Sequence, residues 1–387
     1  MKQNKKEKGN FPILRFKEFQ GECEEMKLGE VCRMQAGKFV SASEIFDNQN
    51  DDLLPCYGGN GLRGYTKSFN QDGIYSLIGR QGALCGNVTL ANGKFHATEH
   101  AVVVTPEKNN DTIWMFYLLS SLNLNQYATG QAQPGLSVQN LEKIEILLPE
   151  SKAEQIKIGV FLSLIDKRIS TQSKIIEKYE SLIKGISEKL LLQKVRFKEF
   201  TEKWVLIILE KVLIKNSIKN KNQKYSIVQS VSNKYGFINQ DEIFEDRRVA
   251  SLNTSNYYVI EKGCFAYNPS RINIGSLAYK KDNETSVISP LYVSFRANNN
   301  FLFDDYLWHW FQTINFTQQM NNSFEGSVRN TLNYENLVKM VISIPSTKEQ
   351  IKIADFLSKI SDKIENEKQI LDKLKKQKKF LLSQMFI

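Results

Sequence analysis

Two stretches of this chain repeat their apolar residues every seven positions. From Ser151 to about Gln193 there is no proline and only Gly159 and Gly185. One series there is Leu162, Ile169, Ile176, Ile183 and Leu190, and another, offset by three or four, is Ile158, Ile165, Gln172, Tyr179 and Ile186. The end of the chain repeats the design, with Leu357, Ile364, Leu371, Lys378 and Met385 against Ile353, Ile360, Glu367, Leu374 and Leu381. Such a period keeps one apolar seam facing a partner, so it predicts a coiled coil rather than two amphipathic helices lying on separate domains. Each stretch follows a proline and a serine (Pro149, Ser151; Pro345, Ser346), and Glu154 or Glu349 stands three residues further on, the spacing of a capping box. About 40 residues make a rod of roughly 60 Å.

The repetition is wider than the helices. Glu154, Gln155, Ile156, Lys157 and Ile158 return as Glu349, Gln350, Ile351, Lys352 and Ile353. Upstream, Gly130, Leu136, Asn140, Leu141, Lys143, Ile146 and Pro149 return as Gly326, Leu332, Asn336, Leu337, Lys339, Ile342 and Pro345, and the run Arg15 to Phe19 returns as Arg196 to Phe200. Two copies of so long a unit imply a tandem duplication with approximate twofold symmetry, not a solenoid. The first helix delivers the chain to the second globular part and a twofold axis sends the second helix back, so the pair is expected to be antiparallel. Two polar interruptions, Gln172 and Glu367, fall at the middle of the copies, where polar core residues fix register at some cost in stability.

Between these matched borders the copies hardly resemble each other. In 20–150, Gly58, Gly59, Asn60, Gly61 and Gly64 mark tight turns, Ile74–Ile78 and Ala101–Val104 read as strands, and Ile113–Ser121 as a helix. In 201–346, strands are expected around Tyr225–Val231 and Leu291–Phe295, and a helix from Tyr306 to about Thr317. The fold class is α+β: two tandem domains of mixed α/β structure, separated by two long helices. A shared frame around unlike interiors suits a protein holding two readers of different things in equivalent places.

At 387 residues each half can bury its own core. Apolar runs such as Val205–Leu209 are far too short to span a bilayer and the lysine-rich start is no secretory signal, so a cytoplasmic protein without membrane contact is expected. Five cysteines without a Cys-x-x-Cys pair, and only His96, His100 and His309, argue against disulfides and metal and for buried thiols. The net charge of +10 points to a polyanion, yet 20–150 has 9 basic and 15 acidic residues, so nucleic acid would have to meet a local basic stripe there.

The twice-used Glu-Gln frame after a proline, the Gly-x5-Leu-x3-Asn-Leu approach to it, the paired Arg-Phe-Lys-Glu-Phe starts and the run Tyr57-Gly58-Gly59-Asn60-Gly61 with Arg63-Gly64-Tyr65 together resemble the specificity subunit of type I restriction-modification systems. The resemblance covers nearly the whole chain. It implies two target recognition domains, held apart by an antiparallel helix pair, that read the halves of an interrupted site in double-stranded DNA. It also implies two methyltransferase subunits docked on the repeated frames and two motor-nuclease restriction subunits, with S-adenosylmethionine, ATP and Mg bound by those partners and not by this chain. One departure stands out: Trp204 in the second copy faces Cys23 in the first.

The chain's own chemistry points away from catalysis. Tyr267-Asn268-Pro269-Ser270 resembles the Asn-Pro-Pro-aromatic motif of amino-methyltransferases but lacks the second proline and the final aromatic, and no glycine-rich cofactor loop accompanies it. It reads as a turn entering Arg271–Ile274. No Gly-x4-Gly-Lys-Ser/Thr loop is present, and Glu99-His100 has no nucleophile or metal partner in view, so it reads as a satisfied strand-edge pair. Residues able to pair with base edges are Asn60, Arg63, Arg80, Gln81, Gln131 and Gln133 in the first half, with Tyr65 beside them, and Lys234, Asn268, Arg271, Asn273 and Arg329 in the second. Contact with phosphate suits each of them as well. The coiled-coil interface is assigned to Ile158, Leu162, Ile165, Ile169, Gln172, Ile176, Tyr179 and Ile183 on the first helix. On the second it takes Ile353, Leu357, Ile360, Ile364, Glu367, Leu371 and Leu374.

The expected organisation is thus a basic tail with the start of the frame (1–19), a recognition domain (20–150), a long helix (151–194), a second recognition domain (195–346) and a second long helix (347–387). Half-sites read from one face of a duplex would lie about one helical turn apart, roughly 10 bp. The expected function is non-catalytic reading of a bipartite DNA site. A self-sufficient adenine methyltransferase would instead transfer methyl groups alone, and a coiled-coil scaffold would show no site preference. Replacing Gln172 and Glu367 together with Leu is expected to raise the urea midpoint while broadening the distance distribution between spin labels at the helix ends; an unchanged distribution contradicts a register role.

Overall fold

The computed structural model describes residues 10–82, 84–130, 134–240, 253–324 and 331–386. Two compact units divide the chain: one takes residues through Lys174 together with those from Gln369 onward, the other Ile175–Lys368. Each long helix, Lys152–Leu191 and Thr347–Met385, is therefore shared, one half in each unit.

In the first unit the strands are β1 (Cys23–Lys27), β2 (Cys32–Ala36), β3 (Leu54–Gly58), β4 (Gly61–Thr66), β5 (Gln71–Gly79), β6 (Val88–Ala97), β7 (Ala101–Pro106) and β8 (Glu145–Pro149). Six form one sheet in the order β2-β7-β5-β6-β3-β4, and β1 pairs with β8 in a separate ribbon. The helix Thr112–Ser121, begun by Asp111 accepting from the Trp114 amide, carries the fully buried Trp114 and Met115 and shares the main core with Ile78, Val102 and Val104. Ile158 and Leu162 of the first long helix and Met385 of the second join this core, and Lys378 reaches Asp166 at 2.6 Å. The helix halves therefore run antiparallel. Asp166 also accepts from the Tyr117 hydroxyl at 2.7 Å.

The second unit has a different interior. Its strands are β9 (Val205–Ile208), β10 (Leu213–Lys215), β11 (Val228–Ser232), β12 (Gly236–Asn239), β13 (Tyr258–Ile260), β14 (Cys264–Tyr267), β15 (Leu277–Tyr279), β16 (Ser286–Ile288), β17 (Val293–Ala297) and β18 (Val341–Ile344). They form sheets β10-β17-β14-β15 and β12-β11-β16-β13 and a ribbon β18-β9. Stacked Phe265, Phe295 and Tyr279 fill the space between sheet and helices. Leu190 and Leu191 share this core with Ile353, Ala354 and Leu357, while Glu180 meets Lys368 at 2.7 Å, so here too the helix halves are antiparallel.

The heptad positions sit as a seam requires. Ile158, Leu162, Ile165, Gln172, Ile176, Ile353, Leu357, Ile364, Glu367 and Leu374 are buried, and Ile169, Tyr179, Ile183, Ile360 and Leu371 are half-buried. The two matched borders fold alike to the level of single bonds. Arg15 grips Glu154 through two bonds of 2.7 Å, as Arg196 grips Glu349. Gln155 donates to the Pro149 carbonyl and accepts from the Asp111 amide; Gln350 donates to that of Pro345 and accepts from the Phe303 amide. Phe16 on Phe161 repeats as Phe197 on Phe356, and Glu18 with Lys157 as Glu199 with Lys352. Even the Leu14 amide on the Gln384 carbonyl has a counterpart, Val195 on Lys189.

Several sequence expectations change here. Glu154 and Glu349 do not act as capping-box carboxylates, because each is buried against an arginine far away in the chain. The helix expected from Tyr306 to about Thr317 is two, Asp304–Trp310 and Ile314–Asn322, since Thr313 turns extended and its hydroxyl accepts from the Phe316 amide. The strand expected from Tyr225 begins at Val228, Asn220 holding both backbone groups of Tyr225, and the one expected from Leu291 begins at Val293. Glu99-His100 lies in the turn between β6 and β7, not on a strand edge, and one Glu99 carboxylate oxygen has no hydrogen-bond partner. Trp204, at the position of Cys23, packs edge-on against Tyr306. All five cysteines are buried and free.

A buried carboxylate must keep its cation. Arg15→Met is expected to cost about 2–3 kcal/mol in urea unfolding, and adding Glu154→Leu to recover part of that loss. A single variant as stable as the native chain contradicts the clamp.

Candidate nucleic-acid interface

In the first unit the two-residue turn Gly59-Asn60 between β3 and β4 lies across the end of β5. A methyl group added at Gly79 would run into the Gly59 carbonyl oxygen, so only glycine allows this approach. The turn, Arg63, Gln81, Gly82 and His100 enclose an open groove of about 520 Å³. Asn60, Arg63 and Gln81 are exposed there, and Asn60 accepts from Asn87 at 3.1 Å. Leu62, 50% exposed, is an apolar member of the same rim.

The other first-half candidates differ. Tyr65 is half-buried and its backbone pairs with Phe46. Arg80 is half-buried, with its guanidinium on the Leu136 carbonyl at 3.3 Å, a tie that braces the groove's edge. Gln131 and Gln133 lie outside the described residues. His100, which pairs with Glu99 at 3.3 Å, was not among the sequence candidates; its place beside the glycine turn follows from the β6–β7 connection.

In the second unit a groove of about 730 Å³ opens between the β11–β12 turn, the segment after β14 and the helices. Lys234 and Asn273 both line it and are exposed. Arg271 is exposed beside them, and Asn268 is half-buried, its side chain accepting from the Ser270 amide to shape the turn. Arg329 lies outside the described residues. Tyr235, Lys281 and Asp282 also line this groove and were missed, since a single sequence gives no sign that 281–282 approaches 234–235.

Burial shifts two titrations in the second unit. Burial pushes His309 down to about 4, with Lys281 adding to the effect, and its ring stands 3.2 Å from Ser358. Burial likewise lifts Asp304 to about 6. Among the described residues no group of His, Cys, Asp and Glu could hold a metal ion, and no helix is long and apolar enough to cross a membrane.

These features define a class: a tandem α+β protein whose two units are built on the halves of two long antiparallel helices, each presenting an open groove edged by amide and charged side chains. The family model of the type I restriction modification DNA specificity domain matches residues 20–181 and again 193–376, and the chain belongs to that family. It is 46% identical over 155 residues to the type I restriction enzyme EcoprrI specificity subunit of Escherichia coli, a match covering 40% of this chain and 38% of that protein's length. The type I restriction-modification S subunit from M. genitalium has the same fold, with a TM-score of 0.67 at 16% identity over 97% of this chain and 99% of that one. A chain from a study of type I complex assembly and conformational transition gives a TM-score of 0.52 at 12% identity over 94% of this chain and 97% of its own.

Gly79→Ala is expected to lower the melting temperature and to speed amide exchange in 58–63 more than in the rest of the sheet. Uniform exchange after the change contradicts the packing described.

Proposed function

We propose that this chain supplies the DNA sequence specificity of a type I restriction-modification complex, each unit reading one half of a bipartite site. The carrying observation is the frame repeated bond for bond around unlike interiors, each with an exposed groove. Equal frames suit equivalent docking of two methyltransferase subunits, and unequal interiors suit two different half-sites. The chain itself is non-catalytic in this reading. Methyl transfer with S-adenosylmethionine, and ATP- and Mg-dependent translocation and cleavage, fall to the methyltransferase and motor-nuclease partners. Base contacts are assigned to the groove edges, Asn60, Arg63 and Gln81 in one unit and Lys234, Arg271 and Asn273 in the other, through bidentate or single bonds in the major groove.

Co-expression with the methyltransferase subunit, followed by genome-wide mapping of modified adenines, tests this. Expected is a motif of two unlike half-sites with a fixed spacer. A palindrome, or modification by the isolated chain, contradicts it.

A further inference from the structure

Lys280 is, among the described residues, the one buried lysine or arginine. Its ammonium donates to Gln229 at 3.0 Å and lies 2.9 Å from an Asp282 carboxylate oxygen. Gln229 of β11 also accepts from Ser286 of β16 at 2.7 Å and donates to Asn239 of β12 at 2.9 Å. The Lys280 backbone, in turn, pairs with Cys264 of β14 and with Gly263. One charge thus ties the main chain of one sheet to three strands of the other. Burying it costs free energy that apolar packing would not, so stability alone does not account for it.

The network ends at Asp282, whose side chain is 60% exposed and lines the groove of this unit. Oδ1 takes both the lysine and the Glu284 amide, so the carboxylate is held in place through one oxygen. Burial raises this carboxyl's pKa, but the Lys280 and Glu284 bonds outweigh it and hold Asp282 below its ordinary value. Asp362 and Glu365 stand on the same groove, and Lys281 is occupied by Asp305 at 3.3 Å. Lys234 adds a cation to the groove, but an edge made of Asp282, Asp362 and Glu365 is poor for phosphate and good for an amino group. Carboxylates at base edges accept from the exocyclic amine of cytosine.

Resting on the reading above, we propose that Asp282 reads the 4-amino group of a cytosine in the half-site contacted by this unit. Lys280 is the positioning residue that fixes and neutralises it.

The test co-expresses the full chain with its methyltransferase subunit as wild type, Asp282→Ala, Lys280→Met and Lys280→Arg, and maps the modified motif. Expected is one G·C position in one half-site at which discrimination falls about tenfold or more in the first two variants, while Lys280→Arg keeps it and the other half-site is unchanged. A purely structural role would lower melting temperature and modification without singling out a base. A second arm uses the wild-type complex and a duplex with pyrimidin-2-one, which lacks the amino group, at that cytosine. Wild type should bind it about tenfold more weakly, and Asp282→Ala equally to the normal site. The proposal is overturned by an unchanged motif in Asp282→Ala, by relaxation at an A·T pair, or by full wild-type affinity for each duplex with one cytosine so replaced. If Lys280→Met fails to fold, the Asp282→Ala motif and the altered duplexes decide it. A wild-type complex that modifies no bipartite site instead overturns the functional reading beneath it.

Discussion

The arginine–glutamate clamp at the start of each long helix is the interaction on which the architecture depends. Glu154 and Glu349 are almost wholly shielded from water, and a carboxylate so placed must be neutralised and hydrogen-bonded. Arg15 and Arg196 do both, and their fork geometry fixes the angle at which the leading segment meets the helix. The neighbouring glutamine then ties the same turn to the strand before it and to the helix of the globular part. Four pieces of chain from distant parts of the sequence are thus locked at one point, and the point occurs twice.

What is carried on that frame is not repeated. The first unit hangs a single six-stranded sheet from it, the second two four-stranded sheets joined through a buried lysine. Buried helix positions diverge as well: Tyr117 donates to Asp166 in one unit, whereas His309 meets Ser358 in the other. Free variation of the interior requires that the frame not rely on it, and the bonds of the frame run mostly among the lead segment, the ribbon and the long helix.

The long helices, the duplication and the antiparallel pairing were legible in the sequence because periodicity and internal identity are local, countable signals. Glu154 and Glu349 were misassigned because their partners lie 139 and 153 residues away, while a serine three positions before offered a local explanation. The split at Thr313 was hidden by apolar residues on both sides of it. The grooves were half legible: glycines at 58–61 announced a turn, but nothing announced that β5 would pass beneath it. Nothing near Lys280 and Asp282 in the sequence sets them apart from other charges, and only the fold shows that one is buried and the other lines a groove.

Placing the first interior, 29–143, on the second frame as well, in place of 210–339, tests the central claim most directly. If each interior is a self-contained reader on an equivalent, twofold-related mount, the complex with its methyltransferase should modify a palindrome made of one half-site and its inverted copy across an unchanged spacer. A folded chain that keeps the original unlike half-sites, or changes the spacer, would contradict the account.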